Sequence, residues 1–256
     1  MNVYYCSDLH LEHKNYKLDL QSKVVNPNSD ILILAGDIGC IKDLDFYGDW
    51  LKSLCGRFYT VVYLLGNHEW YGLKYDSDIS NLIARSRFEN LIYVPENSYI
   101  ELDGINIICS TLWSSLNNNN FITARIISEH VNDFKYIQGL TTDLCFNLYN
   151  SGYNFILDRV INSIQNNKQF IIATHFPPIT TSDKLTEIGY YFYNTSYADL
   201  VNEPKINLDI FDKLFLGWIY GHSHKPLLTN YDKYKIFTNQ CGYNINRNFK
   251  LESIKV

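Results

Sequence analysis

The sequence predicts an α/β fold in which helices cover the sheets and a second sheet contains antiparallel strands. Three observations carry this. Six short apolar, β-branched runs end in polar loops: NVYYCS (2–7), ILILAG (31–36), TVVYLLG (60–66), INIICS (105–110), QFIIAT (169–174) and LGWIYG (216–221). Unbroken apolar runs of this length suit strands buried on both faces. Between them lie segments of helical period at 43–58, 76–88, 120–137 and 153–166, and such alternation is the mark of a layered α/β fold. Near the C-terminus PLLTNY, YKIFTN and FKLESIKV read as a meander.

Bulk properties narrow the function. The chain has 256 residues, 46% hydrophobic and 19% charged, which is the composition of a globular protein. It reads as a single domain, 1–256, with no repeat or linker. Long loops at 117–120 and 180–195 mark a cap or lid region around 113–139 and 176–202. A net charge of −5 argues against a duplex nucleic acid partner, which calls for a basic footprint. No apolar run approaches the roughly 20 residues that span a bilayer, and no polybasic anchor is visible, so no membrane partner is expected. The N-terminus, MNVYYCSDLH, lacks a basic segment followed by an apolar one. Six scattered cysteines without a CxxC pair read as reduced, packed side chains in a reducing, cytoplasmic compartment. Nothing in the sequence specifies an oligomeric state.

Five polar motifs stand at the C-terminal ends of predicted strands, the edge where α/β sheets bind ligands. They are Asp8-Leu9-His10, Gly36-Asp37, Gly66-Asn67-His68-Glu69, His175 and Gly221-His222-Ser223-His224. Five of the seven histidines lie in them. A DxH or HxH triplet alone is weak; all five motifs in this order, each at a strand end, are not a chance pattern. Imidazole and carboxylate ligands without thiolates suit divalent zinc, manganese, iron or nickel.

With these motifs the chain resembles the calcineurin-like metallophosphoesterases, whose signatures run DxH, GDxx, GNH[DE], a lone His and GHxH. It looks closest to the small stand-alone phosphoesterases with an SDLHLE start, a GNHEWYG turn and a late GY, here Ser7–Glu12, Gly66–Gly72 and Gly242-Tyr243. The resemblance implies two packed mixed β-sheets flanked by helices, a four-layer αββα sandwich, and two divalent metal ions (Mn, Fe, Zn or Ni). It implies that Asp8, His10, Asp37 and His224 hold the first ion, that Asp37 bridges, and that Asn67, His175 and His222 complete the second. It implies a metal-dependent hydrolase in which a hydroxide bridging the ions attacks a phosphate ester. Two dications neutralise the ester's charge, align it and lower the pKa of bound water. His68 would not be a ligand but the catalytic acid for the leaving group, oriented by a carboxylate, Asp8 or Glu69.

The expected substrate is a small phosphorylated molecule, possibly a nucleotide, with a small phosphodiester such as a cyclic nucleotide preferred. Phosphomonoesterase or protein phosphatase activity is the alternative, and a non-catalytic metal-binding scaffold the minor one. The second motif reads Gly36-Asp37-Ile38-Gly39 and lacks the GDxVDRG of the protein phosphatases. His13 and Arg125 read as surface residues, and Asn132-Asp133-Phe134 as structural or pocket wall, with His130 beside it. Tyr190, Tyr191, Tyr193 and Tyr197 could stack on a base but read better as packing.

Overall fold

The structure is a computed structural model, and it describes residues 1–13, 20, 25–75, 79–84, 88–116, 121–179, 189–224, 235–243 and 249–256. Ten strands form: β1 (Asn2–Cys6), β2 (Ile31–Ala35), β3 (Thr60–Leu64), β4 (Leu91–Val94), β5 (Asn97–Leu102), β6 (Ile105–Ser110), β7 (Gln169–Thr174), β8 (Phe215–Tyr220), β9 (Ile236–Thr238) and β10 (Glu252–Lys255). They make two five-stranded sheets, ordered β10-β1-β2-β3-β4 and β5-β6-β7-β8-β9. Within the first sheet β1 to β4 run parallel and β10 pairs antiparallel with β1. Within the second, β5 is antiparallel to β6 and the rest are parallel.

The central strands of both sheets bury both faces. Val3, Ile31, Ile33, Val62 and Leu64 of the first sheet pack on Ile107, Ile171, Ala173 and Ile219 of the second. The alternate residues point outward. Tyr4, Leu32, Leu34 and Tyr63 meet Leu44, Tyr47, Leu51 and Leu54 of α1 (Leu44–Cys55). Ile108, Phe170, Ile172 and Trp218 meet Ile156 and Val160 of α5 (Thr142–Gln165), with Phe211 and Leu214 of α8 (Leu208–Leu214). The layers are therefore helix, sheet, sheet, helix, and the period-2 side chains of each strand serve two cores at once.

Among the described residues the expected meander does not form. β9 lies parallel to β8, while β10 crosses to the edge of the other sheet. β10, Glu252-Ser253-Ile254-Lys255, carries little apolar signal, and tertiary pairing decides which edge it joins; PLLTNY (226–231) lies outside the described residues. The helix expected at 153–166 begins earlier, at Thr142, where Thr141 Oγ1 accepts from the Leu144 amide at 3.1 Å. Asn, Ser and Gly152 depress helix propensity there, but Gly152 admits Ser110, whose Oγ would sit 2.5 Å from a Cβ. Of 76–88, α2 (Ser80–Ile83) is helical, and 76–78 and 85–87 lie outside the described residues. The 120–137 segment divides into α3 (Phe121–His130) and α4 (Asp133–Tyr136). Short helices α6 (Gly189–Phe192) and α7 (Ser196–Val201) follow β7. Of the expected lid loops, 117–120 and 180–188 lie outside the described residues.

Candidate metal centre and active site

The loops after β1, β2, β3, β7 and β8 meet at one edge of the sandwich, and main-chain hydrogen bonds lace them together. Asp8 N donates to Gly36 O at 3.0 Å, His10 N to Asp37 O at 3.0 Å, and Gly221 N to His175 O at 2.9 Å. Two glycines allow this closeness. A Cβ on Gly36, whose φ is +86°, would lie 2.3 Å from His175 Nδ1, and one on Gly66 would lie 2.4 Å from Asp37 Oδ1. Asp8, His10, Asp37, His222 and His224 all adopt positive φ, between 48° and 71°. Such backbone costs about 1 kcal/mol or more per non-glycine residue and concentrates at functional sites.

Two groups of ligand atoms result. In the first, His10 Nε2 lies 2.9 Å from His224 Nε2, which is 3.1 Å from Asp8 Oδ1. In the second, His175 Nε2 lies 2.9 Å from Asn67 Oδ1 and 3.2 Å from Asp37 Oδ1, and His222 Nδ1 lies 3.1 Å from Asn67 Oδ1. Asp8, Asp37, His175 and the other second-group residues are buried.

The chemistry of these atoms fits a cation. His175 Nδ1 faces the Ala35 carbonyl at 2.9 Å, an acceptor only, so Nδ1 carries hydrogen. Nε2 of the neutral ring is then a bare lone pair, yet it faces two acceptor oxygens. Without a metal, a proton fills that place. Burial opposes a charge on His175, but Asp37 outweighs it and pushes the ring up to about 10. Burial likewise opposes ionised Asp37, yet His175 and His68 hold its carboxyl well below the usual range. His222, by contrast, is driven well down by burial and by His175; its Nε2 is buried with no hydrogen-bond partner among the described residues. Asp8, His10, Asp37, Asn67, His175, His222 and His224 could thus hold two ions with nitrogen and oxygen donors, a set suited to zinc, manganese, iron or nickel.

His68 stands beside both groups. Its amide donates to Asp37 Oδ1 at 2.9 Å and its ring stacks on Tyr71, centroids 4.1 Å apart. Neither Asp8 nor Glu69 orients it: the partner is Glu12, whose Oε1 accepts from His68 Nδ1 at 2.9 Å and from His10 Nδ1 at 3.1 Å. Burial opposes both charges, but His10 and His68 bring Glu12 down to about 2, while Asp37 and Glu12 raise His68 to about 9. His68 Nε2 is left pointing to the cleft, 3.4 Å from Tyr243 Oη and 3.9 Å from Asp37 Oδ2. Glu69 faces the other way. It accepts from the amides of Asp37 (3.0 Å), Ile38 (2.8 Å) and Gly66 (2.8 Å) and from Tyr63 Oη (2.9 Å), clamping two ligand loops.

Asp133 lines the cleft, as the pocket-wall reading expected, and also contacts a candidate ligand. It is buried and accepts from Asn67 Nδ2 at 2.9 Å, from Tyr71 Oη at 2.6 Å and from Tyr191 Oη. A cleft of about 310 Å³ opens over the ligands, walled by His130, Asn132, Asp133, Tyr71, Tyr191, Phe192 and Tyr243. Tyr191 is fully buried against Phe176 and Phe134, so it packs rather than offering a face to a base. Arg125 is exposed and pairs with Glu129 at 2.9 Å, a surface role. Glu12 has a sequence signal, its place two residues after His10; Asp133 is marked only as part of the Asn132-Asp133-Phe134 segment, and its link to Asn67 appears in the fold alone.

No disulfide links the six cysteines, five of which are buried, and among the described residues no helix is long and apolar enough to cross a membrane.

The chain is similar to several known proteins. An uncharacterized protein of Acanthamoeba polyphaga mimivirus is 30% identical over 95% of this chain and 92% of its own length. The phosphopantetheinyl hydrolase of Mycobacterium tuberculosis superposes with a TM-score of 0.62 at 16% identity, over 94% of this chain and 89% of that one, a likeness of fold. A dimetal phosphatase from Danio rerio gives a TM-score of 0.45 at 11% identity, over 87% of this chain and 81% of that one. The profile described as calcineurin-like phosphoesterase matches residues 1–226. Its two ligand groups at one sandwich edge stand on a chain that belongs to the calcineurin-like phosphoesterases.

Proposed function

We propose that the chain hydrolyses a small phosphodiester, such as a cyclic nucleotide, at a centre of two divalent ions. Asp8, His10, Asp37 and His224 would hold one ion. Asn67, His175 and His222, with Asp37 shared, would hold the other. The observation that supports this is the convergence of two adjacent groups of nitrogen and oxygen ligand atoms, with His68 Nε2 turned to the cleft beside Tyr243 Oη. Bound there, the ions supply charge neutralisation and an activated water nucleophile.

The chain's own residues do the rest. Glu12 takes the Nδ1 hydrogen of His68, so the proton on Nε2 is the one aimed into the cleft. From there it can pass to the leaving oxygen, a step worth on the order of 10²–10⁴ in rate. Asn132, Asp133, Tyr191 and Phe192, which fall within the segments read as a cap or lid, line the cleft. At about 310 Å³ the cleft lies at the small end of ligand pockets, a size that favours a small ester over a folded protein.

The test is a panel of cyclic nucleotides, linear dinucleotides and phosphomonoesters with manganese, nickel or zinc supplied. Turnover of a diester ahead of the monoesters is expected. Monoester preference would move the assignment to a phosphatase, and no turnover with any metal would favour a scaffold. In His68→Asn, both ions should remain while poor-leaving-group esters lose about 10²-fold or more; full turnover would remove the acid role.

A further inference from the structure

We propose that Asp133 is a positioning residue for one metal site: its carboxylate fixes the Asn67 amide with Oδ1 turned toward His175 and His222. The inference deepens the two-metal reading and rests on it.

An amide has two ends of nearly equal size, and only the oxygen end carries a lone pair that can ligate a cation. His175 does not by itself select the amide end. Its Nδ1 is committed to the Ala35 carbonyl at 2.9 Å, so a protonated Nε2 would donate to the amide oxygen while a neutral one would accept from the NH₂ group. The structure presents Asn67 Oδ1, at 2.9 Å from His175 Nε2 and 3.1 Å from His222 Nδ1. What opposes the flip is on the other side. Asn67 Nδ2 donates to Asp133 Oδ1 at 2.9 Å. A flipped amide would set its oxygen against a buried carboxylate, leaving two acceptors facing with no hydrogen between them, which is costly in a buried place.

Asp133 is itself immobilised. Tyr71 Oη donates to its Oδ1 at 2.6 Å and Tyr191 Oη to its Oδ2. The donors come from two parts of the chain: Asn67 and Tyr71 from the turn after β3, and Tyr191 from α6. Tyr191 is fully buried and lies edge-on to both Phe176 and His222. The segment after β7 thereby holds the carboxylate that selects the amide end. Outer partners of this kind typically change metal affinity roughly 10–100-fold when removed.

The test is stepwise Mn²⁺ titration by calorimetry, with metal content of the purified proteins alongside. Wild type should bind two ions. Asp133→Asn should weaken one ion by about tenfold or more and leave the other unchanged. The exchange Asn67→Asp with Asp133→Asn swaps donor and acceptor across the same contact and should recover the second ion, a rescue that a merely structural role would not give. Wild-type affinities in a folded Asp133→Asn, or equal weakening of both ions, would overturn the inference alone. Should the single variant fail to fold, the exchange variant decides: two ions support the inference, fewer overturn it. A wild type that binds fewer than two ions sinks the two-metal reading and this inference together.

Discussion

Glu12→Gln is the sharpest probe of the acid. One oxygen of Glu12 serves both His68 Nδ1 at 2.9 Å and His10 Nδ1 at 3.1 Å, from a side chain only 7% exposed. Burial alone would lower His68; Asp37 and Glu12 hold it up at about 9. Asp37 would share its charge with the ions, so Glu12 becomes the counter-charge left to the imidazolium. A hydrogen bond to a charged group is worth about 1.5–3 kcal/mol net, and about 1.4 kcal/mol is tenfold. Replacing the carboxylate by an amide should therefore remove roughly 10–10² of the acid's contribution. The assay is kcat/KM for a cyclic nucleotide, whose alkoxide needs a proton, against bis-p-nitrophenyl phosphate, whose phenolate hardly does. Both are run in excess Mn²⁺ with metal content measured. The cyclic ester should fall by about 10–10² and the nitrophenyl ester by much less. Equal losses would mean that Glu12 acts through His10 and the ions, and no loss would mean that His68 needs no orienting carboxylate.

Three further outcomes follow from named contacts. Gly66→Ala puts a Cβ 2.4 Å from Asp37 Oδ1 and 2.8 Å from His175 Cδ2; thermal unfolding should report a loss of about 1–3 kcal/mol, and Mn²⁺ titration a weakened centre. Burial raises Glu96 from 4.5 to about 7, against Tyr75 and Trp113, whose Nε1 donates at 3.2 Å. Because the folded value lies above the unfolded one, stability falls as pH rises from about 4.5 to 7, by at most roughly 3 kcal/mol at about 1.4 kcal/mol per pH unit. Glu96→Gln should then raise Tm at pH 8 and leave it unchanged at pH 4.5; an equal shift at both would deny the ionisation. Chelation should lower Tm and Mn²⁺ restore it, since each ion binding only the folded chain adds about 2.7 kcal/mol at a hundredfold excess over its Kd; a flat response would mean that the ligand loops stand without ions.

The sandwich and the cluster of candidate ligand residues are legible in the sequence because both are written locally. β1, β2, β3, β7 and β8 bury both faces and so are unbroken apolar runs, and a metal demands His, Asp or Asn at the place where each run ends. β4 and β5 are half-exposed, with burial patterns BiiB and iiiBei, so LIYV and NSYIEL carry weaker signals. β10 could not be paired in advance, because its partner, β1, lies at the opposite end of the chain and register is a tertiary choice.

What sequence missed at the site are the residues that act on ligands rather than as ligands. Glu69 stands next to His68 in the chain and was the natural candidate to orient it. The 3-10 turn His68–Trp70 instead sends consecutive side chains apart: His68 to Glu12 and the cleft, Glu69 back under the loops of Asp37 and Gly66. Adjacency in sequence is therefore a poor guide at a turn, where successive Cβ vectors diverge. Asp133 lies 66 positions from Asn67, and an Asp flanked by Asn and Phe looks like any helix start. Its meaning comes from three donors that only the fold assembles. Positive φ at Asp8, His10, Asp37, His222 and His224 shows the same division. The motifs name the ligand types, but the turn that aims each one is backbone geometry, held by Glu69, Gly36 and Gly66 from outside the ligand set.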